Sequence, residues 1–174
     1  WGMKFAADKD NLITEKLYNS GVFGDAEYEN CRDFVFEGGS IESDGKGTLM
    51  TTSQCLLSPN RNATYGRRQI EERLKWDFGA ERVLWVDYGA LAGDDTDSHI
   101  DTLARLAPND TIVYQGCRDE NDQHFEELRL MRRQLAGFET IDGRRYRLVE
   151  LPMPEARYDG EERLPATYAN YLVI

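Results

Sequence analysis

The chain has 174 residues, 40% of them apolar and 11% aromatic, and carries 32 acidic against 21 basic side chains for a net charge of −11. This supplies enough apolar side chains for one domain with a sizeable core and excludes a disordered chain. The negative charge opposes phosphate backbones and anionic lipid surfaces, and no run approaches the roughly 20 apolar residues needed to cross a bilayer, so neither nucleic acid nor membrane is an expected partner and a cytoplasmic location is the expectation.

The opening Trp1-Gly2 has no initiator Met, and the chain stops within an apolar run at Tyr171-Leu-Val-Ile174; both ends read as cuts in a longer protein. Asp8 to Asn19 reads as a helix, with Leu12, Ile13 and Leu17 apolar and Gly21 as its stop. Asp33 to Ile41 then reads as a strand, Asp44-Gly-Lys-Gly47 as a turn and Thr48 to Thr52 as the returning strand, together a β-hairpin. Ile70, Leu74 and Phe78 are four apart, predicting a helix over Arg67 to Phe78 that stops at Gly79; Arg82 to Asp87 is the next strand.

The order ββαβ then recurs. His99 to Leu106 reads as a strand, Pro108-Asn-Asp110 as a turn and Thr111 to Tyr114 as a strand. A helix carrying Phe125, Leu128, Met131 and Leu135 ends before Gly137, and Tyr146 to Leu151 closes the unit. Thr167 to Ile174 reads as the first strand of a further unit, with Asn170 polar in its middle. Units that bury only part of their surface need neighbours, and a radial arrangement supplies them. The two longest connections, Gly89 to Ser98 and Pro152 to Leu164, are candidates for site-forming segments.

Two residues apart on the expected strand, His99 and Asp101 share a face, where an imidazole can move protons and a carboxylate can hold a cation. Asp101 falls at about the same point of its unit as Glu37, which interrupts the apolar Phe34-Val-Phe36 and is followed by Gly38-Gly39, a place where a ligand can approach backbone. His124 reads as a surface residue. Gly93-Asp-Asp-Thr-Asp97 offers oxygen ligands in no known calcium-loop spacing. Cys31, Cys55 and Cys117 are odd in number and widely spaced, which reads as three buried free thiols rather than disulfides or a zinc site.

Several blocks in order carry a resemblance: Trp1-Gly2, Asp8-Lys-Asp10, Phe36-Glu-Gly-Gly-Ser-Ile41, Gly45-Lys-Gly-Thr-Leu49, Thr51-Thr52, Asn60-Arg-Asn62, Gly93-Asp-Asp-Thr96, His99-Ile-Asp-Thr-Leu-Ala-Arg105 and Tyr168-Ala-Asn170. Along the whole chain this resembles the agmatine deiminase and Porphyromonas-type peptidyl-arginine deiminase family of the guanidine-modifying superfamily. The resemblance implies an α/β fold, part of a pseudo-fivefold propeller of ββαβ units. The chain would hold a preceding partial unit about 1–32, whole units about 33–88 and 98–152, and the start of another about 165–174.

The resemblance also implies roles. Glu37, His99 and Asp101 would be catalytic, with Glu37 and Asp101 holding a small cationic guanidinium substrate and Asn170 lining the same pocket. The family commonly has Gly before the histidine, where this chain has Ser98. Its nucleophilic cysteine belongs to a Gly-rich segment ending in His-Cys, and neither that segment nor an upstream substrate-binding aspartate occurs in this chain, so these residues alone are expected to be inactive. Neither a metal nor an organic cofactor is required, and self-association into homo-oligomers stays open. The implied reaction is hydrolysis of agmatine to N-carbamoylputrescine and ammonia, with peptidyl-arginine or arginine as the rival substrate. A metal-dependent hydrolase using Asp94, Asp95, Asp97, His99 and Asp101, or a non-catalytic guanidinium-binding module, are the alternatives of other classes.

Overall fold

The computed structural model describes residues 4–172; Trp1, Gly2, Val173 and Ile174 of the motifs above lie outside the described residues. Two three-stranded sheets repeat one topology. In the first, β1 (Ile41–Ser43) pairs antiparallel with β2 (Thr48–Thr52), and β2 pairs in parallel with β3 (Arg82–Val86), Thr48 lying opposite Arg82 and Thr52 opposite Val86. In the second, β4 (Ala104–Ala107) pairs antiparallel with β5 (Thr111–Gln115), and β5 in parallel with β6 (Arg147–Leu151), Thr111 lying opposite Arg147. The parallel crossovers are helices, as parallel strands demand. Two short helices lie outside them, α1 (Ile13–Asn19) and α2 (Ser53–Leu56); the crossovers are α3 (Arg67–Phe78) and α4 (Phe125–Gly137).

Helix α3 has the bounds expected from its period. Gln69 accepts the Gly66 N–H at its start, and Gly79 ends it in the left-handed region at φ 62°. Ile70 and Leu74 are buried, whereas Phe78 is half exposed and tilts against Phe36 instead of entering the core. In α4, Leu128, Met131 and Leu135 face inward as their spacing requires. The first helical segment differs from expectation: a 3-10 turn over Asp10–Leu12 precedes α1, and none of its apolar residues is buried.

Strand β2 is buried along its length and separates two cores. Leu49 joins Ile70, Leu74 and Trp85 on the α3 side, while Met50, one residue on, joins Val86 of β3 and Ile100, Leu103, Leu128 and Met131 of the second unit. The alternation of a strand thus sends neighbouring side chains into different units and packs one unit on the next.

Three expected strands are shorter or absent. Residues 33–37 form no strand: the Val35 N–H and carbonyl are both taken by the Asn62 amide, at 2.9 and 2.8 Å, in place of a neighbouring strand. Gly38–Ser40 and Ile100–Thr102 form 3-10 turns, so neither Glu37, His99 nor Asp101 lies on a strand. The cause is local. The Ser40 hydroxyl donates to the Glu37 carbonyl at 2.6 Å, and the Thr102 hydroxyl to the His99 carbonyl at 2.9 Å, each closing a turn where a ladder bond would otherwise form. Residues 167–172 also form no strand; the Arg105 guanidinium binds the carbonyls of Ala169 and Tyr171 and holds this stretch against the second hairpin. The 152–164 connection contains a two-residue ladder, β7 (Tyr158–Asp159) with β8 (Glu162–Arg163). Among the described residues no helix is long and apolar enough to cross a membrane.

Candidate functional site

The two 3-10 turns meet. Glu37 immediately precedes the first and His99 the second, and the His99 Nε2 lies 3.8 Å from the Glu37 carboxylate. The end of β2 holds both turns. The Thr51 hydroxyl donates to the Ser40 carbonyl and the Thr52 hydroxyl to the Ser98 carbonyl, each at 2.7 Å, and both threonines are buried.

Gly39 makes the approach feasible. A Cβ at this position would stand 2.6 Å from the His99 Nδ1 and 2.7 Å from the Asp101 carboxylate, closer than non-bonded atoms approach. The glycine of the first turn therefore receives the aspartate of the second, and Glu37, His99 and Asp101 come together as the sequence predicts. Asn170 is placed differently: it is exposed, between the two residues whose carbonyls bind Arg105.

His99 is only 4% exposed. Its presentation depends on the preceding loop, where Asp97 and Ser98 both take left-handed backbone at φ 61° and 62°. That conformation favours glycine and explains the motif's preference before the histidine; the serine here accommodates it at some cost. The loop compensates through Asp94, whose carboxylate accepts the N–H groups of Thr96 and Ser98 and the Thr96 hydroxyl. Asp94 is thereby committed to its own loop and Asp97 to Lys4 and Arg61, so the row of aspartates is a structural device rather than a set of converging metal ligands.

Charge separates the two site carboxylates. Burial pushes Glu37 upward, but hydrogen bonding to His99 and Arg61 outweighs it and holds the carboxyl well below the usual range. Burial raises Asp101 with less compensation from the His99 and Arg105 charges, and its Oδ1 is buried without a hydrogen-bond partner among the described residues. Oppositely shifted carboxylates flanking an imidazole are the pattern expected where one group stays ionised and another awaits a cation.

Cys55 is the buried neighbour of this cluster, and its sulfur, the Glu37 carboxylate and a His99 nitrogen lie within 4.8 Å of one another. These are the described residues that could hold a metal. Burial pushes the Cys55 thiol up to about 12, and the Arg61 guanidinium already occupies the cation position beside Glu37, so a metal would have to deprotonate the one and displace the other. The same shift leaves Cys55 a poor nucleophile. Cys31 and Cys117 are half-buried rather than buried, and burial raises the Cys117 thiol as well.

His124 is a structural residue, buried rather than at the surface. Its Nε2 accepts the Ala92 N–H at 2.9 Å, its Nδ1 lies 2.8 Å from Asp122, and Asp122 in turn binds Arg163, tying the 89–98 and 152–164 connections to the start of α4.

Sequence reasoning gave no role to Arg61. It is buried between Glu37 and Asp97, and its signal was confined to the Asn60-Arg-Asn62 block, where nothing in the spacing marks an arginine as internal.

Comparison with known proteins places this arrangement. The profile of the family described as Porphyromonas-type peptidyl-arginine deiminase matches residues 1–174. A Vibrio parahaemolyticus protein provisionally named agmatine deiminase is 33% identical over the whole chain, which spans 53% of that relative. Among solved structures, one from Porphyromonas gingivalis, provisionally named arginine deiminase, is 52% identical with a TM-score of 0.95 over 100% of this chain and 52% of its own. A cysteine-to-serine variant of C. jejuni agmatine deiminase with substrate bound is 41% identical with a TM-score of 0.89, over 100% of this chain and 50% of its own. The chain spans about half the length of the curated relatives it matches.

Proposed function

The chain belongs to the Porphyromonas-type peptidyl-arginine deiminase family, and on that premise we propose that the whole protein hydrolyses the guanidinium group of agmatine to N-carbamoylputrescine and ammonia. The observation that carries this reading is the buried imidazole beside two carboxylates, with an Asp101 Oδ1 that has no hydrogen-bond donor among the described residues. A planar guanidinium brings several N–H donors and a positive charge; placed against Asp101 it would satisfy that oxygen and restore the ionised form that burial disfavours there, with Glu37 as a second acceptor.

In this mechanism a cysteine thiolate attacks the guanidinium carbon, a C–S bond forms, and a C–N bond breaks as His99 delivers a proton to the departing ammonia. Water, deprotonated by His99, then adds to the same carbon and the C–S bond breaks, leaving the carbamoyl product and the thiolate. The buried, protonated Cys55 does not suit the nucleophile, so the reading assigns that role to a cysteine beyond these 174 residues; a cysteine-to-serine variant is the form in which the C. jejuni enzyme was solved with substrate. The balanced reaction calls on no metal or organic cofactor. The same reading takes the protein as cytoplasmic and the two packed ββαβ units as part of a pseudo-fivefold propeller, supported by the way Met50 and Val86 of one sheet enter the core of the next unit.

The family description and the P. gingivalis relative favour a second substrate, arginine free or in a peptide. Ammonia release by the full-length protein from agmatine, arginine and an arginine peptide decides between them, and no release from agmatine refutes the first.

A further inference from the structure

Arg61 touches no reacting atom in the proposed reaction, yet it joins the two halves of the site. Its side chain is 1% exposed. The Nε donates to the Glu37 carboxylate at 2.8 Å, Nη1 to the Asp97 carboxylate at 2.6 Å and to the Cys55 carbonyl at 3.4 Å, and Nη2 to the Thr96 carbonyl at 2.9 Å. These acceptors come from three segments: the stretch before the first 3-10 turn, α2, and the strained loop that delivers His99.

We propose that Arg61 is a positioning residue that locks the Glu37 carboxylate and the His99-bearing loop into one rigid frame, setting the distance between them. The inference rests on the deiminase reading for its kinetic consequences and on geometry alone for the rest. A buried guanidinium can hold this frame because its donors are planar and fixed on three nitrogens, whereas an ammonium offers one centre and cannot reach four acceptors spread over three segments. Among the described residues, Glu37 is faced by His99 from the second turn and by Arg61 and Cys55 from the segment after β2, with Asp97 and its second cation Lys4 reached through Arg61. Arg61 is a permanent positive charge in hydrogen-bond contact with Glu37, so its loss is expected to raise the pH at which that carboxyl protonates.

The test uses Arg61→Gln and Arg61→Lys in the full-length protein, with kcat, KM and the pH profile of kcat/KM, and separately an NMR titration of the His99 imidazole, which senses Glu37 without turnover. Arg61→Gln is expected to lower kcat more than tenfold and to move the acid limb, and the inflection that Glu37 imposes on the His99 resonance, up by at least one pH unit. Arg61→Lys is expected to keep the limb near the wild-type pH and still lose more than tenfold in kcat, because charge survives but the frame does not. An unmoved inflection in Arg61→Gln, or a loss under tenfold in Arg61→Lys, overturns the proposal. If Arg61→Gln does not fold, the Arg61→Lys arm decides alone. If the wild type releases ammonia from none of the guanidinium substrates, the functional reading fails, while the His99 titration still decides whether Arg61 governs Glu37.

Discussion

Glu37 and His99 occupy the same position in two copies of one turn: each precedes a 3-10 turn at the entrance to its sheet, and each gives its carbonyl to a hydroxyl three residues on, Ser40 and Thr102. In that alignment Gly39 corresponds to Asp101, and the pair touches. The repeat thus supplies one scaffold twice, and in the proposed reaction different side chains on it would supply the acid–base and cation-holding groups.

Gly39→Ala is expected to lower kcat/KM at least a hundredfold while costing about 1–3 kcal/mol of stability, the usual penalty of overpacking. The new methyl would meet the His99 Nδ1 and the Asp101 carboxylate, neither of which can retreat without leaving the site. Steady-state kinetics beside urea unfolding of the full-length protein separates the two effects; wild-type kcat/KM would show that the close approach is unimportant.

Asp101→Asn should weaken substrate binding and strengthen the fold at the same time. Losing a charged hydrogen bond to the guanidinium corresponds to roughly 10–150-fold in KM. The Asp101 pKa is raised in the fold, so its contribution to stability is present below its unfolded value and is lost as pH rises through the folded value. The variant should therefore melt higher than wild type at pH 7 and lose this advantage in acid, as calorimetry across that range would show.

Ser98→Gly should stabilise by about 1 kcal/mol, the left-handed penalty of a side chain less the entropy glycine adds to the unfolded chain. Ser98 enters its neighbours' network through its backbone, by way of Asp94 and Thr52, which glycine preserves. A lower midpoint in denaturant would contradict it.

His124 gives the fold an acid sensitivity distinct from the site. Burial depresses its pKa despite the favourable Asp122 contact, so the unfolded chain takes up its proton first as pH falls. Stability is then full above the unfolded histidine value of about 6.5 and declines below it until the folded imidazole also protonates. His124→Gln should flatten this part of the stability curve; an unchanged slope between pH 7 and 5 would exclude the effect.

The periodic elements were legible because their causes are local: Ile70, Leu74 and Gly79 define α3 by themselves, and Leu128, Met131 and Leu135 define the inner face of α4. The turns at Glu37 and His99 were not, since both stretches also satisfy strand composition and only the hydroxyls of Ser40 and Thr102 tip them over. That Glu37, His99 and Asp101 lie together was legible from residue type and resemblance, although the strand geometry expected for them was wrong. Arg61 and His124 were missed because burial of a polar side chain is decided by acceptors and donors from distant segments, Asp97 and Glu37 for one and Ala92 for the other. Asn170 stood in the right motif but was placed outside by the binding of its neighbours' carbonyls to Arg105.

The double-sided burial of β2 has a kinetic side. Since Leu49 and Met50 answer to different cores, the first sheet cannot satisfy both faces until the second unit has docked, and a half-folded chain would present Met50 and Val86 to water. Sequential melting of one unit at a time is thereby penalised, and the two repeats are bound to form and come apart as a single cooperative body.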